Sequence, residues 1–410
     1  MPGEDYDFVA IGGGAAGYFG AISFAEAAPG SRVAILEKSR EVLGKVRISG
    51  GGRCNVTHAC FEPKPLTTHY PRGEKTLIGP FHRWASGDTI DWFAQNGVEL
   101  KTEEDGRMFP TTDQSQTIID CFTRRAEELG IEVITGIEID SIEKNAELWR
   151  LIPKDGPDIR AQSILIATGG IRNGAGARLA GSVGHTIIPA APSLFTFKIP
   201  DRRLEGLSGI SVASVLAAIP SKKLRSTGPC LITHWGLSGP AILRLSAWGA
   251  RELAESDYSF EVVINWLGKG GVEEADAMLS AAREQHPKKM VMSGLPDTGI
   301  PSRLWQRLAE MSGVGEQITW SNLSKDARRR FANELTTGTY RVQGKSMNKD
   351  EFVTAGGVKL SEVNFKTMES RLAPGLYFAG EVLDIDGITG GFNFQSAWTT
   401  ARIAGESAAG

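Results

Sequence analysis

One stretch near the start constrains this chain more than any other. An apolar run, Phe8-Val9-Ala10-Ile11, meets Gly12-Gly13-Gly14-Ala15-Ala16-Gly17 and then a helix-like segment. A second apolar run, Val33-Ala34-Ile35-Leu36, ends in Glu37, twenty residues after Gly17. Strand, G-x-G-x-x-G turn, helix and acid-terminated strand together make a dinucleotide-binding unit. Glycines let the backbone close on a pyrophosphate at the helix N-terminus, where N–H groups and the helix dipole favour an anion. A carboxylate at Glu37 is placed to accept hydrogen bonds from ribose hydroxyls. A glycine-rich loop, Ser49-Gly50-Gly51-Gly52-Arg53-Cys54-Asn55, follows soon after.

Such a unit needs a parallel sheet, and further strands are legible. Ser163 to Gly170 is a continuous apolar run with a glycine stop, as expected of a buried parallel strand. Short strands are expected at 98–101, 131–135, 137–142 and 148–152. Helices are expected over 80–96 and after Asp113, where Gln116 completes an N-terminal box. Residues 60–80, rich in Pro, Thr and His, read as a surface excursion. From about Ser193 the texture becomes β-rich, with strands at 193–199, 210–219, 230–233 and 260–267 around a helix over 241–253. Residues 270–335 read as helical, with Leu304, Trp305, Leu308 and Met311 as a core stripe after Pro301-Ser302.

The last seventy residues return to the first texture. Phe352 to Val358 suggests a strand, and Gly375 to Glu381 a buried strand with an acid at its carboxyl end. Gly390-Gly391 then opens a final helix. If both ends build one nucleotide domain, the middle is an insertion. The expected fold is therefore α/β: a Rossmann-like domain with a parallel sheet over 1–190 and 346–410. It is interrupted by a β-rich, barrel-like domain over 191–268 and a small helical domain with a return strand over 269–345.

The second acid-terminated strand favours a flavin dinucleotide. Glu381 could accept bonds from ribityl hydroxyls, and the N-terminus of the Gly390-Gly391 helix could place positive potential where a reduced ring gathers negative charge. Composition narrows the remaining classes. A net charge of −3 promises no bulk attraction to nucleic acid or anionic membrane. The N-terminus lacks the basic and apolar regions of a signal peptide, and no apolar run reaches the ~20 residues of a bilayer span. Four cysteines without C-x-x-C fit neither a disulfide framework nor a zinc site, so a reducing cytoplasm is expected. No histidine spacing suggests a metal.

Several longer motifs carry a resemblance. The Gly12–Gly17 turn, Lys45 before Ser49 to Thr57, Thr233-His234-Trp235-Gly236-Leu237-Ser238-Gly239-Pro240, Thr354 to Val358, Thr367-Met368-Glu369-Ser370 and Gly375 to Gln395 resemble the BaiN-like, or aminoacetone-oxidase-like, flavoprotein family. The resemblance runs from the first strand to the last helix. It implies FAD in a split Rossmann-like domain, with Gly12, Gly14, Gly17, Glu37, Lys45, Arg53, Cys54, Ile139, Gly169, Glu381, Gly391 and Phe392 on or near it. Ile139 would offer backbone contacts to the adenine. Ala16, Lys38, Gly52, Thr168, Gly380 and Gly390 complete the candidate set. Gly44 departs from the pattern, where a basic residue is expected before Lys45.

The implied activity is FAD-dependent hydride transfer with a small organic substrate. It runs either as C=C reduction with NADH or NADPH as donor, or as amine oxidation with O₂. A flavin-dependent RNA-modifying enzyme and a non-catalytic flavin-binding protein are the other classes. His234, after an apolar strand and beside Trp235, is the candidate proton carrier. Cys54 and Cys60 have five intervening residues where flavin disulfide reductases have four, and no second G-x-G-x-x-G for NAD(P) follows, so a packed thiol is preferred. Asp384 and Asp386 read as loop-shaping residues.

Overall fold

Four strand ends fall on one line. In a computed structural model describing residues 5–145, 147–171, 174–294, 298–346 and 353–410, Ile11 pairs with Leu36 on one side and Ile166 on the other, and Ile166 pairs with Phe378. The carboxyl ends of these parallel strands therefore form a single edge, and the glycine turns leave from it. The chain forms two units, Met1–Ala191 with Val353–Gly410, and Pro192–Phe352. Phe352, read as the start of the 352–358 strand, lies outside the described residues.

In the first unit the parallel strands run in the order Glu132–Thr135, Val33–Glu37, Asp5–Ile11, Ile159–Ile166 and Leu376–Phe378. They read as unbroken apolar runs because both faces are covered: Phe8, Val9, Ala10, Ile35 and Ile164 to Ile166 have no exposure. Helix Ala15–Ala27 is buried over most of its length and packs on the final helix, Phe392–Ala408. Their crossing is close, since a Cβ on Gly405 would lie 2.4 Å from the Gly20 carbonyl oxygen. Phe19, Trp84, Trp92, Phe122 and Trp398 interlock by edge and stacked contacts beneath this crossing. The chain leaves this unit along Ile187–Ser193 and returns along Val353–Val358, and the two segments pair.

Three local expectations change. The helix expected over 80–96 is two, Glu74–Arg83 and Ser86–Gln95. Trp84 is extended between them, and Asp88 accepts the Ala85 N–H at 2.7 Å to start the second. Residues 60–80 are not an excursion, because they form helix Pro63–Thr67 and the start of the next, and they bury Leu66, Tyr70 and Leu77. Asp113 does not open a helix: it sits at φ +54° and pairs with Lys101 and Arg53, while the helix begins at Ser115. A charged partner outcompetes a cap of about 1 kcal/mol.

The second unit carries an antiparallel sheet in the order Gly338–Gln343, Ser259–Asn265, Ser211–Ile219, Leu224–Ile232, Gly236–Ser238, Thr196–Lys198, Lys345–Ser346. Its two edge strands are joined by Gly344 alone, so the sheet curls into a barrel-like form. Helices Val272–Gln285, Ser302–Met311 and Lys325–Thr337 share its core, which runs unbroken through Trp266, Trp305, Trp320, Phe331 and Tyr340. The Leu304, Trp305 and Leu308 stripe is fully buried, but Met311 is half exposed at the helix end. Among the described residues, no helix is long and apolar enough to cross a membrane.

Candidate functional site

The site is built at the carboxyl edge of the first unit's sheet. Gly12 leaves the first strand at φ +113°, and a Cβ there would lie 2.5 Å from the Ala167 carbonyl oxygen. Gly17 is tighter still, since its Cβ would sit 1.8 Å from the Gly12 oxygen. Above Gly14 nothing lies within 4 Å. No side chain caps the helix that follows, its first turn holds no acid, and Ala16 is buried there. That combination leaves an N-terminus open to an anion and closed to side chains.

Glu37 crosses the mouth of this turn. One carboxylate oxygen accepts the Gly13 N–H at 2.7 Å and the other the Ser39 N–H at 2.8 Å. The carboxylate is thus locked by backbone donors while its remaining lone pairs are available to ribose hydroxyls. Lys38 beside it is exposed.

Two further strands end at Thr168-Gly169 and Gly380-Glu381, with Gly169 at φ +75° and Gly380 at φ +73°. Gly380 donates its N–H to Thr400 Oγ1 at 3.0 Å. Lys45 Nζ bonds Glu381 Oε2 across 336 residues of sequence. A Cβ on Gly169 would lie 3.9 Å from that oxygen and 4.0 Å from that nitrogen. Lys45, Gly169 and Glu381 are therefore brought together. Lys45 belongs to a segment, Gly44–Gly52, that is helical to Ile48 and then broken at Ser49, Gly50 and Gly51, where the latter two adopt positive φ. Gly44, Gly51 and Gly52 face open space.

The final helix begins at Gly391, at φ +90° with no side-chain cap and no acid in its first turn. Gly390 precedes it at φ +129°. Residues that pattern reading passed over surround this N-terminus. The Asn55 amide oxygen, turned toward it, accepts the Gly391 N–H at 2.9 Å. Tyr70 donates its hydroxyl to the Phe392 carbonyl at 2.6 Å. Phe392 clusters with His58 and His69, its ring centroid 4.7 and 4.1 Å from theirs, and the two imidazoles are 5.9 Å from each other. Arg72 grips Asp386 with two bonds, and Asp384 accepts the Gly356 N–H at 3.0 Å, so both acids anchor the loop that leads into the helix. The only signal for these in the sequence is the density of His, Tyr, Asn and Arg after the glycine loop.

Other candidates are engaged with partners within the protein. Arg53 lies 3.9 Å over the Phe109 ring and pairs with Glu103 at 2.6 Å and Asp113 at 3.4 Å. Cys54 is fully buried at φ +61°, and burial pushes its thiol up to about 12. Cys60 is partly exposed, and burial with the nearby Glu62 raises its thiol as well. Both are free, so the pair is not a disulfide. Ile139 begins a strand, and its carbonyl accepts from Arg178 at 3.1 Å. His234 belongs to the second unit, where it is exposed next to Trp235 and lines a cavity of about 700 Å³.

The residues present fit FAD: a glycine cradle that a Cβ would fill, an acid at each of two strand ends, one held by backbone donors and the other by Lys45, and a helix N-terminus with no side-chain cap from its own first residue. Known proteins agree. The chain matches the model of the family described as HI0933-like protein Rossmann domain over residues 6–407. It is 29% identical to the 3-dehydro-bile acid delta(4,6)-reductase of Clostridium scindens, over 97% of this chain and 98% of that one. It is 31% identical to the ribosomal RNA dihydrouridine synthase of Escherichia coli, over 97% of this chain and 96% of that one. The fold is shared with the 3-ketosteroid delta1-dehydrogenase of Sterolibacterium denitrificans at a TM-score of 0.53 and 12% identity, over 99% of this chain and 100% of that one.

Proposed function

The chain belongs to the HI0933-like Rossmann-domain family of FAD-dependent oxidoreductases, and from that premise we propose that it reduces a ring C=C bond conjugated to a carbonyl group. The observation that carries this reading is a shared chemistry. One relative of near-full coverage is named as a reductase of delta(4,6) double bonds in a 3-dehydro bile acid. The other is named for forming dihydrouridine, which is uridine with its ring double bond reduced. Both acceptors are double bonds polarised by a carbonyl, to which hydride adds at one carbon and a proton at the other.

Bound FAD supplies the hydride chemistry at its N5, with NADH or NADPH proposed as the donor that replenishes it. This chain's residues hold and tune. The amides of the Gly12–Gly17 turn would meet the pyrophosphate, and Glu37 the ribose. Glu381 and Lys45 would sit at the ribityl and phosphate groups, and the Gly391-Phe392 N-terminus would offer positive potential to the ring. His234, exposed on the second unit, is the proposed proton source. Four free cysteines suit a reducing cytoplasm.

Anaerobic mixing of the FAD-loaded protein with NADH or NADPH tests the direction. The flavin absorbance bleaches, then recovers on adding a conjugated cyclic enone or an unmodified ribosomal RNA fragment. No bleaching, with peroxide formed from an amine under air, would instead establish an oxidase. A second reading, uridine in RNA as the reduced ring, is favoured by a division of charge. The segment 192–352 holds 21 Lys and Arg against 17 Asp and Glu, net +4, while the rest of the chain holds 24 against 31, net −7. The whole-chain value of −3 conceals this split.

A further inference from the structure

His58 ends the two-residue strand Thr57–His58, which pairs it with Arg107. Its ring centroid lies 4.7 Å from that of Phe392, and the two planes are within 22° of parallel. A Cβ on Gly106 would stand 2.4 Å from the imidazole Cε1, and one on Gly390 would stand 3.4 Å from its Cδ2. These two glycines, at φ +84° and +129°, make room for the ring. His58 Nε2 is 3.1 Å from the Asp105 carbonyl oxygen. A carbonyl only accepts, so Nε2 carries the hydrogen, and Nδ1 of the neutral ring keeps a bare lone pair. That Nδ1 is buried and has no hydrogen-bond partner among the described residues. A buried polar atom without a partner is costly, and native proteins keep few.

The charged and titratable groups around this ring are these. Burial lowers its pKa, the Asp105 carbonyl and carboxylate oppose that, and the charge of Arg107 adds to it. Arg107 also bonds Asp105 at 2.7 Å and Glu103 at 3.2 Å. His69 stands 5.9 Å away, and Cys60, two residues on, has a thiol raised by burial and by Glu62. The Gly390–Phe392 turn brings no charge, and before it Asp384 accepts the Gly356 N–H while Asp386 is held by Arg72. The imidazole is therefore neutral at pH 7, with its tautomer fixed and one nitrogen empty. It lies against the turn that opens the final helix, whose N-terminus, in the reading above, faces the ring edge where reduction gathers negative charge. A neutral histidine beside such a change of charge is placed to answer it with a proton.

We propose that His58 takes up one proton at Nδ1 when the flavin is reduced and returns it on reoxidation, so that it tunes the ring through its charge. Hydride carries two electrons and one proton and leaves one added negative charge. The further proton comes from solvent, no bond breaks, and no second reductant is needed. The inference rests on the placement of the flavin ring at the final helix and on no choice of substrate.

The test follows the imidazole directly, by NMR titration of the full FAD-loaded chain labelled in histidine and phenylalanine. It compares the oxidised protein with the protein reduced anaerobically by dithionite. The chain has six histidines, and the His58 signal is the one lost in both His58→Gln and His58→Asn. In the oxidised protein His58 is expected to titrate below about pH 6.5. After reduction its midpoint is expected at least one pH unit higher, a tenfold gain in proton affinity. By linkage the proton favours the reduced ring by up to that factor below both midpoints, and by nothing above both. The flavin midpoint potential of wild type should therefore show an extra pH slope between them, which His58→Gln lacks. An unchanged His58 midpoint, with the Phe392 amide signal shifting on reduction, would overturn the proton uptake and leave the ring placement standing. A shift confined to His69 would overturn the assignment to His58. No shift of either histidine or of the Phe392 amide, in a protein that holds FAD, would overturn the ring placement and the proposal together. Dithionite reduces the ring whatever the natural donor, so failure of the C=C-reductase reading in a turnover assay would leave this result untouched.

Discussion

Two glycines within six residues of the end of the first strand should fail in opposite ways when given a methyl group. Gly17 lies within the Ala15–Ala27 helix, where Gly→Ala ordinarily stabilises by about 1 kcal/mol. Here the new Cβ would sit 1.8 Å from the Gly12 carbonyl oxygen, and Gly12 is itself pressed on Ala167. Neither backbone can yield cheaply, so helix and strand must part by more than an ångström. Overpacking of this kind costs about 3 kcal/mol, the upper end of its usual range. Set against the helix gain, a net loss of about 2 kcal/mol remains, or a Tm lower by roughly 4–8 °C for a unit of this size. Gly14→Ala should behave differently. Its φ of −93° suits any residue and nothing lies within 4 Å, so the fold should lose no more than about 1 kcal/mol from a poorer N-cap. The methyl group would instead occupy the space a pyrophosphate needs, and FAD affinity should fall at least tenfold. Circular dichroism melting of the FAD-free proteins and FAD retention after gel filtration read the two effects apart. A Gly17→Ala protein as stable as wild type, or a Gly14→Ala protein with unchanged FAD affinity, would refute the division into a packing glycine and an approach glycine.

Arg72→Met should cost about 3–5 kcal/mol in urea unfolding, because it removes the cation that bonds both oxygens of the fully buried Asp386 carboxylate, and the double variant with Asp386→Leu should recover part of that loss. A thiol reagent applied to the native protein should modify Cys60 well ahead of the others, since burial pushes Cys54 and Cys230 up to about 12 and Cys121 up to about 11. All four should react in denaturant. Burial lowers the folded-state pKa of His58 and His185, the latter against the opposing charge of Glu362. The unfolded chain therefore binds more protons than the folded one below about pH 6.5, and stability should fall as pH drops through that value toward the folded pKa. Urea midpoints at pH 7.5 and 5.5 would show it, and His185→Asn should shrink the difference.

The parallel strands and the glycine turns were legible because their causes are local. A strand covered on both faces must be apolar throughout, and a backbone at positive φ selects glycine, as at Gly12 and Gly391. The return of the chain to the first unit was legible from Glu381 and Gly390, whose chemistry has a purpose only beside a second strand end. What escaped was the stretch from Asn55 to Arg72. Asn55, His58, His69 and Tyr70 share no helical or strand period, because each meets the N-terminus of the last helix rather than its own neighbours. Asp113 was misread for a related reason: a carboxylate near a helix start looks like a cap until Lys101 and Arg53 are seen beside it.

The sequence by itself determined the nucleotide fold, the two acid-terminated strands and the class of cofactor, since these depend on glycine placement, apolar runs and helix ends within a few residues of each other. Only the tertiary structure decided that Lys45 meets Glu381, that Arg72 holds Asp386, and that Phe392 packs against two histidines. It also decided that Trp235 stands in water beside Lys198. Ion pairs and ring contacts across such spans leave no periodicity in a chain, because their partners are chosen by distance in space, which the folded sheet and its turns create.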